Sequence, residues 1–248
     1  MAFRWKPNTR GGLPHSDRLV RLATEHGAQK NPAKLVAYEQ EFSRLSECEM
    51  TILEIGVKGG GSLKTWEAFF PRARIVGVDI HAKPHDYSDR VTLVQGDQGD
   101  PAFIQKLIDD FAPFGVVIDD GSHEVDHQIL GFEMMFPHVL DGGLYVLEDI
   151  HSGYRDDYNP NKSQNAVDYV RDMVPYQALH HTQMGREDFN YSEYLQHSAT
   201  KRERAINIGK IVFSERTVII EKRTEASQVK QVKPPKEKSR KHAAAQEG

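Results

Sequence analysis

Two acidic turns in this chain carry side chains that could do chemistry. The first covers residues 119–127, DDGSHEVDH, and the second is the pair Glu148-Asp149. Within the first turn, residues 123–127 match His-Glu-x-x-His, the helical signature of zinc hydrolases. The same letters also fit a buried strand that ends in a glycine turn rich in carboxylates. The two interpretations predict different metals and folds, so the elements around these turns must decide between them.

Five short apolar runs alternate with helical patterns through the middle of the chain. The runs cover residues 50–57, 74–80, 91–97, 115–120 and 143–150, and the helical patterns cover residues 62–70, 100–111 and 124–140. Nearly continuous apolar character is typical of strands that are buried on both faces of a parallel sheet. Residues 206–223 add two strands that meet around Ser214 as an antiparallel hairpin. We therefore predict a doubly wound, mostly parallel, seven-stranded Rossmann-like α/β sheet.

The N-terminal part of the chain predicts helices instead of strands. An amphipathic segment runs from Asp17 to Leu45, and Asn31-Pro32 should divide it because proline suits the first turn of a helix. We predict an N-terminal helical cap over residues 1–48, within one domain over residues 1–223. Residues 224–248 are basic, nearly devoid of large apolar side chains, and predict a flexible tail.

Composition limits the classes of protein that the chain could be. The mean hydropathy is -0.60, and no apolar run approaches the ~20 residues that span a bilayer. The N-terminus lacks the apolar stretch of a secretory signal, and Cys48 is the single cysteine, so we expect a cytoplasmic protein without membrane contact. The formal net charge is -4. The tail has more basic than acidic residues, so the rest of the chain is more acidic than this total. An acidic body argues against a nucleic-acid partner.

Several predicted strands end in glycine or acidic residues, where ligands of open α/β sheets bind. The first strand gives Glu54 and Gly56, followed by three glycines that include Gly60, and then Ser62, which opens a helix. The glycines would let a ligand approach the backbone, and the helix N-terminus offers free N–H groups.

The next two strands add acids at the same edge. Asp79 closes the second strand and could accept both hydroxyls of a ribose. Asp97 and Gln98 follow the third strand and could contact an adenine edge, and we add Asp119 to the predicted cofactor contacts.

Three further carboxylates follow the fourth and fifth strands. Asp120, Glu148 and Asp149 would meet at one rim of a parallel sheet, and their mutual repulsion would be relieved by a bound cation. Three oxygen ligands with room for water favour Mg²⁺ over zinc. As an alternative, Glu148 and Asp149 could cap the next helix.

The succession of strand ends resembles the class I S-adenosylmethionine-dependent methyltransferases across about residues 34–223. That resemblance implies that residues 54–62 line the methionine end of the cofactor, that Asp79 holds the ribose, and that Asp97 with Gln98 holds the adenine. The glycine turn at 141–143 before the fifth strand is also common in these enzymes.

The combination DDGSH and LEDI is similar to metal-dependent sugar O-methyltransferases of the mycinamicin and macrocin type, which act on macrolide deoxysugars. In that family the matching positions imply Asp120, Glu148 and Asp149 as Mg²⁺ ligands and His123 as the general base. The family commonly carries Gly-Thr-Asp-Lys early in the chain, where this sequence has HGAQK at 26–30. This departure leaves the sugar and the oligomer contacts open.

The acceptor has three alternatives at this stage. Among short relatives the chain resembles the methylmannose polysaccharide methyltransferases of mycobacteria, so we favour a mannose-type oligosaccharide in polysaccharide biosynthesis. A deoxysugar on a macrolide-like product and a small catechol-like phenol are the other acceptors. We also expect a homo-oligomer, with a dimer favoured, and residues 154–165 predict either a sugar-binding lid or a plain loop. A zinc hydrolase and a degenerate cofactor-binding protein without chemistry are the alternatives of other classes.

Overall fold

The apolar runs form one seven-stranded sheet in the computed structural model, which describes residues 17–82, 86–175, 199–214 and 216–224. The strands are β1 Thr51–Ile55, β2 Arg74–Asp79, β3 Val91–Gln95, β4 Phe114–Asp119, β5 Val139–Leu147, β6 Ile208–Ser214 and β7 Thr217–Lys222. Their order across the sheet is β3-β2-β1-β4-β5-β7-β6. Strands β1 to β5 run parallel, and the hairpin of β6 and β7 adds antiparallel pairs beside β5. The predicted fold class is confirmed.

Helices cover both faces of this sheet and complete two apolar cores. They are α1 Arg18–Glu25, α2 Pro32–Phe42, α3 Gly61–Phe69, α4 Pro101–Phe111, α5 Val125–Met135, α6 Ala166–Arg171 and α7 Ala199–Ile206. Alternate residues of β1 show the division, because Ile52 packs with α1, α2 and α3 while Leu53 packs on the opposite face with α4 and α5. Strands covered on both faces explain why the runs were almost wholly apolar.

The fifth strand begins earlier than its sequence pattern predicted. The helical pattern extended to residue 140, but α5 ends at Met135 and a short 3₁₀ turn over Phe136–His138 leads directly into β5 at Val139. Pro137 lies in that turn and cannot donate the backbone hydrogen bond that would continue an α-helix. The strand then crosses the glycine turn, where Gly142 has a φ of 74°.

The N-terminal segment divides into two helices as predicted. Asn31 caps α2 by accepting a hydrogen bond from the Ala33 N–H at 2.8 Å, and Pro32 occupies the first helical position. The turn between α1 and α2 lies against Gly61, where an added Cβ would stand 2.7 Å from the backbone of Gly27. This close approach brings α2 to the carboxyl end of β1.

Parts of the predicted organisation lie outside the described residues. These parts are residues 1–16 of the predicted cap and all but the first residue of the predicted tail. Among the described helices, none is both long and apolar enough to cross a membrane.

Candidate active site at the carboxyl ends of the parallel strands

The loop after β1 is built around buried polar contacts. Glu54 is fully buried, and its Oε2 accepts a hydrogen bond from the Ser62 hydroxyl at 2.6 Å. Gly56 has a φ of 89°, and a Cβ there would stand 2.1 Å from the carbonyl oxygen of Asp120. Gly56 therefore allows the loop after β1 to contact the turn after β4. The sequence analysis had predicted that the glycines of this loop make room for a ligand and had not predicted this contact between backbones. Gly60 has a φ of 78° and precedes α3.

Asp79 fixes this loop from the neighbouring strand. Its Oδ2 accepts hydrogen bonds from the Val57 and Lys58 N–H groups at 3.0 and 2.8 Å, and its Oδ1 accepts one from His81 at 2.8 Å. Partial burial alone would raise the pKa of Asp79, but these backbone donors lower it below the ordinary value. The carboxylate is thus ionised at neutral pH and still has lone pairs for a ligand hydroxyl.

A cavity of about 380 Å³ opens beside Asp79 and reaches the turn after β4. Its lining includes the predicted cofactor residues Gly56, Asp79, Asp97 and Gln98, together with Asp120, His123 and Asp149. A smaller adjoining cavity is lined by Gly60 and Ser62. The structure therefore brings six of the eight predicted cofactor residues to connected cavity walls.

Asp119 and Glu54 do not line either of these two cavities, and their contacts with a cofactor stay predictions. Asp119 is completely buried because it is the last residue of a strand covered on both faces, and burial raises its pKa to about 7. Its Oδ1 accepts a hydrogen bond from Gln98 Nε2 at 3.1 Å, while Gln98 Oε1 accepts one from the Ser122 N–H at 2.7 Å. Asp119 therefore supports the turn that follows β4. Gln98 lines the cavity, but its amide also braces this turn.

Three potential metal ligands converge at the end of the larger cavity. Asp120, His123 and Asp149 each offer a ligand atom, and these atoms all lie within 4.8 Å of one another. His123 Nε2 lies 3.7 Å from Asp149 Oδ2. Both His123 and Asp149 adopt left-handed backbone conformations, with φ of 60° and 50°. Such strained positions are common where a fold holds side chains for function.

Two lysines that the sequence analysis missed enter the same cluster from α2 and the turn before it. Lys30 Nζ lies 2.7 Å from Asp120 Oδ2, 2.6 Å from Glu148 Oε1 and 3.1 Å from Glu54 Oε1. Lys34 Nζ lies 2.9 Å from Glu148 Oε2 and 2.6 Å from Asp149 Oδ1. The predicted repulsion among the carboxylates is therefore already relieved in part by ammonium groups of the protein itself.

Glu148 has a different environment from the other two predicted ligands. Both of its carboxylate oxygens contact lysines, and it lies outside the group of three potential ligands. Burial alone would raise the pKa of Glu148, but the charges of Lys30 and Lys34 lower it to about 2. The role of Glu148 as a metal ligand stays a prediction.

No protein-family model matches the chain, but comparison with single proteins finds relatives that are named as O-methyltransferases. The chain is 36% identical over 177 residues to the 8-demethyl-8-alpha-L-rhamnosyl tetracenomycin-C 2'-O-methyltransferase of Streptomyces olivaceus, which covers 66% of this chain and 46% of that protein. It is 43% identical over 124 residues to the mycinamicin VI 2''-O-methyltransferase of Micromonospora griseorubida, which covers 47% of this chain and 31% of that protein.

A solved structure agrees with these sequence matches. The methyltransferase MycE of mycinamycin biosynthesis, in complex with Mg, SAH and mycinamycin VI, superposes with a TM-score of 0.69 at 29% identity. The alignment covers 84% of this chain and 55% of MycE. The chain resembles sugar O-methyltransferases. It spans less than half the length of the curated relatives named here.

The resemblance to sugar O-methyltransferases agrees with the geometry of residues 123–127, which do not form the helical zinc signature. Helix α5 begins at Val125, after the left-handed His123, so the two histidines do not share one helical face. His127 Nδ1 instead lies 2.9 Å from the Ser122 hydroxyl. The zinc-hydrolase alternative therefore lacks its structural requirement.

The segment predicted as a sugar-binding lid continues from the cluster as two short 3₁₀ turns, Ile150–Tyr154 and Asp156–Tyr158. Tyr154 is 69% exposed, and the Tyr158 ring centroid lies 6.4 Å from that of His123. An aromatic ring at this distance from His123 could contact a sugar acceptor, which is what the predicted lid requires. The lid itself stays a prediction.

Proposed function

We propose that this chain transfers the methyl group of S-adenosylmethionine to a sugar hydroxyl with the help of Mg²⁺. The observation that carries the proposal is a cavity that runs from Asp79 to the converging group of Asp120, His123 and Asp149. The sequence relatives named above are sugar O-methyltransferases, and the similar solved structure contains Mg and SAH. The activity as a whole is our inference, since the chain covers only part of each relative.

The cofactor would lie along the larger cavity with its ribose at Asp79. This carboxylate is ionised, and its position is fixed by three backbone N–H groups, so it can accept ribose hydroxyls without reorganising. Ile80 lines the same wall and is 54% exposed, which offers an apolar surface to the base. The sulfonium end would then point toward His123.

The donor set of the cluster fits a hard divalent cation. Asp120 and Asp149 each use one oxygen for a lysine, which leaves Asp120 Oδ1 and Asp149 Oδ2 for a metal. Carboxylate oxygens with space for water are suited to Mg²⁺. When bound, Mg²⁺ would lower the pKa of a coordinated hydroxyl and orient it.

His123 is placed to accept the proton of that hydroxyl. Its Nε2 faces the cluster beside Asp149, and its Nδ1 is buried and has no hydrogen-bond partner among the described residues. A neutral imidazole is a suitable base near neutral pH. The remaining task is to align oxygen, methyl carbon and sulfur, which the rigid strand ends can do.

Three acceptor classes are considered, and each has a different basis. The relatives' names favour a deoxysugar on a glycosylated natural product. The mannose-type oligosaccharide of polysaccharide biosynthesis rests on the sequence resemblance alone and stays a prediction. A catechol-like phenol is the third acceptor, and it would depend less on His123 because phenols lose a proton more readily.

Four other expectations also stay predictions: a homo-oligomer, no nucleic-acid partner, no membrane partner and a cytoplasmic location.

The proposal is tested by methyl transfer from labelled S-adenosylmethionine to a panel of acceptors. The panel contains a rhamnosylated polyketide, a mannose oligosaccharide and a catechol, each assayed with Mg²⁺, with Zn²⁺ and with chelator. Transfer to either sugar with Mg²⁺, lost with chelator, supports the proposal. Transfer to the catechol alone, or transfer that persists in chelator, contradicts it.

A further inference from the structure

Lys30 and Lys34 are the most enclosed ammonium groups at the carboxyl ends of the strands. Their side chains are 4% and 8% exposed, and between them they contact Glu54, Asp120 and Glu148 as well as Asp149. Glu148 is the centre of the arrangement, since each of its oxygens contacts a different lysine. The contacts of Glu148 with the two lysines join residues separated by more than one hundred positions in the chain.

The burial of these charges has a direct energetic consequence. A buried ammonium or carboxylate without a partner is strongly unfavourable, so each lysine makes the burial of its acidic neighbours tolerable. Removing one lysine would leave its carboxylates facing one another across a few ångströms. They would then separate or bind protons, and the arrangement of Asp120 and Asp149 would be lost.

The charges of the group do not cancel. Four carboxylates contact two ammonium groups, so the group with all of its acids ionised carries two negative charges in excess. One divalent cation would neutralise that excess with both lysines still in place. Asp149 Oδ2, the oxygen that does not contact Lys34, lies 3.7 Å from His123 Nε2, and His123 completes the set of three potential ligands with Asp120 and Asp149.

We propose that Lys30 and Lys34 are positioning residues that hold the carboxylates of this cluster in place before a divalent cation binds beside them. The lysines are partners of the metal and do not compete with it. The metal half of this inference rests on the proposed function, whereas the positioning of the carboxylates does not. The two halves are therefore tested by separate measurements.

The positioning half is tested by urea unfolding of protein free of metal and cofactor. Lys34→Met should raise the unfolding equilibrium constant at least about tenfold, because buried Glu148 loses one of its two ammonium partners and Asp149 loses its contact with Lys34. The double variant Lys34→Met/Glu148→Gln restores the excess of two negative charges. It should recover at least about half of the free energy of unfolding that Lys34→Met loses. Lys106→Met removes an exposed pair with Asp110 and is the matched control, with little effect expected. A double variant no more stable than Lys34→Met would overturn the positioning role.

The metal half is tested by calorimetric titration of the same proteins with Mg²⁺. Lys34→Met should bind Mg²⁺ about tenfold more weakly than wild type, and Lys34→Arg, which keeps the charge, should recover part of the affinity. Equal or tighter binding by Lys34→Met would overturn the inference, since tighter binding would identify the lysine as a competitor. If wild type binds no Mg²⁺, the metal half and the metal in the proposed function both fail, while the unfolding experiment still decides the positioning role. If Lys34→Met does not fold, Lys34→Gln, which also removes the charge but keeps a hydrogen-bond donor, replaces it in both measurements with the same directions of change expected.

Discussion

At the scale of single residues, the site depends on side chains held in unusual conformations. His123 and Asp149 have left-handed backbones, and the Ser122–His127 and Gln98–Ser122 contacts brace the turn that presents His123. The backbone strain is of a kind that persists only where the surrounding structure imposes it. The two histidines of the turn are therefore not equivalent, because one faces the cluster and the other supports the turn.

The two histidines provide a matched pair of variants. We expect His123→Ala to lower kcat by about 10²- to 10⁴-fold, because it removes the group placed to accept a proton, with S-adenosylhomocysteine binding nearly unchanged. His127→Ala should lower kcat much less, since His127 contacts Ser122 and Glu124 and does not belong to the group of three potential ligands. Steady-state methyl transfer and calorimetry on both variants measure the difference. Comparable losses in the two variants would contradict the assignment of His123 as the base.

At the scale of elements, the site forms where β1 and β4 end side by side. Strands β1 and β4 pair through Ile55 and Asp119, and the Asp120 N–H donates to the Ile55 carbonyl at 2.9 Å. Gly56 then allows the two chains to continue in contact, because any side chain there would overlap the Asp120 carbonyl. The glycine therefore aligns the loop after β1 with Asp120, a predicted metal ligand.

Gly56 and Gly59 lie in the same loop and give a second matched pair. Gly56→Ala should lower the free energy of unfolding by about 1–3 kcal/mol or more, because it combines a positive φ with a backbone overlap. Gly59→Ala should change it by no more than about 0.5 kcal/mol, because a Cβ at that position meets no atom within 4 Å. Chemical unfolding of both variants checks this. A Gly56→Ala protein as stable as wild type would contradict the close approach described here.

The elements differ in how far the sequence determined them. The strands were predictable because burial on both faces makes each run apolar, and Asn31-Pro32 marked the start of α2 through its capping chemistry. The start of β5 was not predictable, because a 3₁₀ turn can follow α5 without interrupting the apolar pattern. Lys30 and Lys34 were missed because lysine is usually exposed and their partners are distant in sequence. The signal available was the group of predicted carboxylates, because several acids close together require positive charge nearby.

At the scale of the whole molecule, the N-terminal segment and the ends of the central strands contribute to one site. Helices α1 and α2 complete the apolar core on one face of the sheet. Helix α2 and the turn before it also place Lys34 and Lys30 against the carboxylates of the site. Asp79 links β2 to the loop after β1 in the same way. Stability and site geometry therefore depend on the same contacts.

The stability of the whole protein should respond to pH through Asp79. Because its pKa in the folded protein is lowered, ionised Asp79 contributes stability that is present above the ordinary aspartate pKa and is lost as the pH falls through the folded value. Asp79→Asn should therefore be less stable than wild type at neutral pH, with the difference shrinking as the solution is acidified. Urea unfolding at a series of pH values measures this. A difference that stays constant or grows on acidification would contradict the N–H contacts assigned to the ionised carboxylate.

The most direct test of the central claim is calorimetric titration of the protein with S-adenosylhomocysteine, followed by Mg²⁺ and Zn²⁺ in separate experiments. The cavity at Asp79 and the cluster of Asp120, His123 and Asp149 predict micromolar binding of the nucleoside and binding of Mg²⁺, without tight binding of Zn²⁺. No binding of the nucleoside together with tight binding of Zn²⁺ would contradict the account. That result would indicate a zinc site in the cluster that contains His123 instead.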